Sequence, residues 1–119
     1  MDIEVLDRAA LDTLRQLDDP GKSDVFREVI ALYLDDAPRY LEGARAAIAS
    51  RDYEALHRAV HSLKGSSRYV GSASLAALCQ ELESEAAIGF NDKFKEHLEG
   101  IEAAFNQARK ALSEELGKI

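Results

Sequence analysis

Between Phe26 and Ile48 one pattern restricts what the chain can fold into: Phe26, Val29, Ile30, Tyr33, Leu34, Ala37, Leu41, Ala44 and Ile48 recur every three or four residues. A helix turns about 100° per residue, so this spacing keeps them all on one helical face. A strand would need alternation with a period of two. The helical period returns in Leu56, Ala59, Val60, Leu63, Ser67 and Val70, in Leu75, Leu78, Cys79 and Leu82, and in Phe94, Leu98, Ile101, Phe105, Ala108 and Leu112. Only two prolines and seven glycines interrupt a chain rich in Ala, Leu, Glu, Arg and Lys, the residues that helices favour. The expected fold class is all-α.

The breaks fall at Asp18-Asp19-Pro20-Gly21, Ser50-Arg51-Asp52, Gly71 and Gly89 to Asn91, all of them turn chemistry. A short helix precedes the first break, carrying Ala10, Leu14 and Leu17 after a capping Asp7. The bundle helices are predicted at approximately 23–49, 53–69, 72–87 and 91–116, the first of them capped by Ser23. Pro38 removes a backbone donor inside the second pattern, and the continued period predicts a kink rather than a split. The charged stretch from Ser113 to Ile119 is expected to fray. Four long amphipathic segments joined by short turns predict an antiparallel four-helix bundle, with a short additional N-terminal helix covering one end. With 119 residues, 46% of them hydrophobic, the chain fills one core and is read as a single domain, 1–119. Met1 and the full set of helices lead us to expect a free-standing protein, with monomer as the default state.

A formal net charge of −7 argues against general binding of nucleic acid or anionic membrane, both of which draw on positive surfaces. Proteins are the expected partners. No apolar run approaches the ~20 residues needed to cross a bilayer, and Met-Asp-Ile-Glu lacks the basic and apolar regions of a signal peptide. A cytoplasmic location is expected. The lone Cys79 has no partner for an internal disulfide and is expected to sit reduced in the core.

On the third helix the apolar residues cluster within roughly 80°, and His61 lies about 140° from their centre, with His57, Lys64, Gly65 and Arg68 on the same outward sector. The chain holds 22 Asp and Glu, yet none falls from Ala55 through Gln80, a stretch that includes Arg58, Lys64 and Arg68. A basic face around His61 is therefore predicted. A neutral imidazole is a good nucleophile near neutral pH, and its phosphoramidate is labile enough to pass the group on. Lys64, one turn ahead, would offset phosphate charge. Gly65 costs about 1 kcal/mol relative to alanine inside a helix, but it removes every side-chain atom beside the histidine and so lets a partner approach. Ser66 and Ser67 are small as well, fitting either close helix packing or hydroxyls near a phosphate. His57 and His61 have the i, i+4 spacing of a metal pair, but no carboxylate or cysteine nearby in sequence completes a site, and no metal is expected.

Taken together, His61-Ser62-Leu63-Lys64-Gly65-Ser66-Ser67, then Val70-Gly71, Leu75, Leu78-Cys79 and Leu82-Glu83, resemble the histidine-containing phosphotransfer (HPt) family, and the order of the remaining helices is similar too. The resemblance implies that His61 is phosphorylated, attacking through its outward ring nitrogen the acyl phosphate of a receiver-domain aspartate and passing the group to another receiver. It implies that Lys64 steadies the phosphoryl oxygens and Gly65 leaves room for the receiver. The receiver would bring the Mg2+, with no cofactor bound by this chain. Glu83 falls where several family members place a glutamine; a carboxylate there would orient the ring yet repel phosphate. His57, where the family often has a basic residue, reads as a phosphate-side or partner contact.

Arg58 and Arg68, with exposed apolar residues of the first two helices, would meet receiver domains of response regulators and hybrid sensor histidine kinases. Autokinase activity is not expected: there is no Gly-rich nucleotide loop, no room for an ATP-binding domain, and Ser62 rather than an acidic residue follows the histidine. The rival readings are a phosphorylation-independent helical adaptor that binds response regulators, and a metal- or haem-binding bundle. The set His61, Lys64 and Gly65 favours the carrier.

Overall fold

The computed structural model describes residues 6–18 and 24–117. Five helices run in order: α1 (Arg8–Arg15), α2 (Val25–Ser50), α3 (Tyr53–Tyr69), α4 (Ala73–Ile88) and α5 (Phe94–Gly117). Each of the first three begins on an aspartate that accepts backbone donors otherwise left unpaired at a helix start. Asp7 accepts from the amides of Ala9 and Ala10, Asp24 from Arg27, and Asp52 from Ala55. Asp24 takes the capping place expected of Ser23, which lies outside the described residues together with Pro20 and Gly21. Pro38 sits within α2 and the helix continues through it without a split. α2 ends where Arg51 turns left-handed, φ 57°, and α5 begins three residues later than the sequence predicts.

α2 and α4 flank α3, while α5 packs on both α4 and α2, so the four long helices close a ring around one core. Short turns between successive helices make the bundle antiparallel. Phe26, Ile30, Leu56, Leu63, Leu75, Leu82, Phe94, Ile101 and Leu112 are buried in it almost completely. Tyr33 meets Phe105 edge to face at 5.9 Å and shares a 2.9 Å hydrogen bond with Ser67. Cys79 is fully buried. Desolvation pushes its thiol up to about 12, so it stays protonated and inert at neutral pH.

α1 lies across the end where α2 starts and α3 finishes. Leu11 and Leu14 turn into the core, the Arg15 guanidinium stacks 3.9 Å above the Phe26 ring, and the Asp7 amide donates to the Gly71 carbonyl at 2.6 Å. Gly71 has φ +84°, and a Cβ there would lie 2.9 Å from the Asp7 carbonyl oxygen. Glycine is what allows the α3–α4 turn and the start of α1 to touch.

The expected fraying from Ser113 onward is corrected: α5 continues to Gly117, with Glu115 only 3% exposed and held by Arg15 at 3.1 Å and by Arg8. A buried carboxylate with two guanidinium partners anchors the last turns. Lys118 and Ile119 lie outside the described residues. Among the described residues, no helix is long and apolar enough to cross a membrane.

Candidate functional site

α3 buries Leu56, Val60, Leu63 and Ser67 against its neighbours, which leaves its opposite side to solvent. His61 stands there with 63% of its side chain exposed. One turn on, Gly65 is exposed, and a Cβ built on it would meet nothing within 4 Å. Spacing of i, i+4 stacks neighbouring side chains along a helix, so Tyr53, His57 and His61 form a row of rings. The centroids are 6.0 and 5.6 Å apart, and the two imidazoles lie within 16° of parallel.

α4 supplies the counter-charge. Glu83 directs Oε1 at both imidazoles, 3.6 Å from His57 Nδ1 and 3.9 Å from His61 Nδ1. Its Oε2 accepts a 2.8 Å bond from Lys64 Nζ, and Gln80 Oε1 accepts a second from the same ammonium at 2.9 Å. Partial burial pushes the Glu83 carboxyl up, but the Lys64 hydrogen bond and charge, aided by the two imidazoles, outweigh it and hold the group below the usual carboxylate range. Glu83 is therefore anionic at neutral pH. A carboxylate facing Nδ1 favours the tautomer with its proton on that nitrogen, which leaves the lone pair on Nε2, at the far side of an exposed ring.

Three expectations are corrected here. Lys64 does not share the outward sector of His61: its side chain is only 11% exposed and lies against α4. Three residues after the histidine it has turned by about −60°, toward the neighbouring helix, where its apolar stem is covered and its charge is paired. The face around His61 is not purely basic either, because the acid-free stretch of sequence receives the Glu83 carboxylate from another helix. Ser67, offered as a hydroxyl near the phosphate, is fully buried and spent on Tyr33, so the packing reading holds for it.

Ser66 is half-buried and, with Gly65, lines a groove completed by Val29, Leu32, Tyr33, Asp36, Tyr69 and Val70. Arg58 and Arg68 are exposed on α3, and His57 is partly so. Leu32 and Tyr69 are exposed apolar residues beside the bare turn. The sequence analysis does not single out Leu32; the signal that could have found it is its place off the α2 stripe. Gln80 has no such signal beyond sharing a face with Glu83 three residues on, and which face of α4 meets α3 is a matter of packing.

Fold and site define a class: a four-helix bundle that displays one accessible histidine beside a bare helical turn. Residues 28–115 match the Hpt domain, and the chain belongs to the Hpt domain family. It is similar over 99% of both chains, with a TM-score of 0.88 and 26% identity, to the crystal structure of histidine-containing phosphotransfer protein B (HptB) from Pseudomonas aeruginosa PAO1. Among curated proteins it is 23% identical to multistep phosphorelay regulator 1 of Schizosaccharomyces pombe, over 94% of this chain and 38% of that protein. It is 38% identical to the sensor histidine kinase GacS of Pseudomonas protegens, over 54% of this chain and 7% of that protein. Histidine-containing phosphotransfer protein 2 of Arabidopsis thaliana matches at 32% over 56% of this chain and 44% of its own length. The matched regions thus span less than half of each of these three relatives.

Proposed function

We propose that this protein is a phosphoryl carrier of a two-component phosphorelay that works on His61. The observation that carries the reading is the exposed imidazole with its Nδ1 turned to Glu83 and an empty turn at Gly65 beside it. The Nε2 lone pair attacks the phosphorus of a receiver aspartyl phosphate, the bond from phosphorus to the carboxylate oxygen breaks, and the aspartate leaves as carboxylate. The reverse displacement hands the group to a second receiver. Mg2+ comes with the receiver, and this chain supplies nucleophile, access and charge balance.

A dianionic phosphoryl group on His61 would meet the Glu83 carboxylate. Lys64 neutralises that carboxylate at 2.8 Å, so its part is to make the site tolerant of the phosphoryl group. Receiver domains of response regulators and of hybrid kinases are the partners, docking over Gly65 and the groove that holds Leu32 and Tyr69, with Arg58, Arg68 and His57 around it. Acting as a monomer in the cytoplasm, the protein relays phosphate without autokinase activity.

Incubation with a phosphorylated receiver tests this. The wild type acquires acid-labile, base-stable label and His61→Gln acquires none. Label in the variant would exclude His61, and label in neither protein would leave a phosphorylation-independent adaptor.

A further inference from the structure

The sequence offers His57 and His61 as a metal pair lacking a third ligand, and the bundle supplies one. One ligand atom from each of His57, His61 and Glu83 falls within a set no more than 4.8 Å across. Two ligands held 2.0–2.1 Å from a tetrahedral zinc ion lie about 3.4 Å apart. Glu83 Oε1 is 3.6 and 3.9 Å from the two Nδ1 atoms, close to the spacing that two ligands of one ion require. His57 Nδ1 is buried and finds no hydrogen-bond partner among the described residues. Lys64 holds Oε2, which leaves Oε1 as the oxygen presented to the histidines.

We propose that His57, His61 and Glu83 form a zinc site whose occupation switches off the phosphoacceptor histidine. Two imidazoles and one carboxylate suit zinc, while Mg2+ prefers all-oxygen, octahedral surroundings. The switch follows from the ring's single lone pair. Without metal, the Glu83 carboxylate favours the proton on Nδ1, which leaves the lone pair on Nε2. Zinc accepts the Nδ1 pair, a bound water leaves the ion, and the proton moves to Nε2, which then has no pair to attack phosphorus. No proton is lost from the ring and no redox partner is needed. The switching role rests on the carrier reading of His61; zinc binding itself does not.

The test uses the full chain with zinc chloride alone, followed by equilibrium dialysis and by labelling with phosphoramidate, a small phosphoryl donor that removes any receiver metal from the assay. One equivalent of zinc is expected, with labelling slowed about tenfold or more at saturation and restored by EDTA. His57→Ala and His61→Gln, checked for helix content by circular dichroism, should each bind zinc at least about tenfold more weakly. In His57→Ala, whatever its zinc-free rate, added zinc should no longer slow labelling. No bound zinc, or zinc bound equally well by both variants, overturns the site. Stoichiometric zinc that leaves wild-type labelling unaffected overturns the switch. Failure of the zinc-free wild type to take label from either phosphoramidate or a phosphorylated receiver would instead sink the carrier reading, and the dialysis would still decide the site.

Discussion

In the proposed carrier, the neighbours of His61 act on charge and on space, and the two influences separate by substitution. If Lys64 serves by neutralising Glu83, Lys64→Ala should slow phosphoryl acceptance several-fold, and adding Glu83→Gln should recover most of the loss. A direct grip of Lys64 on the phosphate would leave the double variant as slow as the single one. A kinetic double-mutant cycle with a phosphorylated receiver reads the difference. Gly65 carries the argument about space. Since a Cβ there meets nothing in the free protein, Gly65→Ala should raise stability by about 0.5–1 kcal/mol through helix propensity alone. Gly65→Gln should fold equally well and yet transfer more slowly. Urea melts and single-turnover transfer check both, and unchanged transfer in Gly65→Gln would refute the close approach.

At the scale of elements, α3 was legible almost entirely: Asp52 before it, a regular apolar stripe and Gly71 after it mark limits that coincide with Tyr53–Tyr69. α5 was less so, because Glu115 is charged and only its arginine partners explain why it is buried. The α3–α4 turn joins two elements at one atom-tight point. Gly71→Ala would force a side chain into left-handed backbone at about 1–2 kcal/mol and drive its Cβ to 2.9 Å from the Asp7 carbonyl. The urea midpoint should fall accordingly with an unchanged m value. Detachment of α1 would show as a reduced m value, the sign that less surface is buried in the native state.

Across the whole molecule, α1 and the end of α5 are fastened through Arg8, Arg15 and Glu115. Glu115→Ala should cost about 1–2 kcal/mol in urea melts, since the two arginines can regain water once released. Phosphoryl transfer should survive, because His61 lies on α3 outside that junction; loss of transfer at full helix content would show that the junction shapes the site. The sequence by itself determined the helices, their apolar faces and the outward direction of His61, because these depend on residues within a turn or two of one another. Only the tertiary structure decided that Lys64 turns aside to Glu83, that Ser67 is spent on Tyr33, and that Glu83 faces two histidines on another helix. Those contacts depend on how each helix is rotated against its neighbour, and that rotation is set by the packing of the whole core.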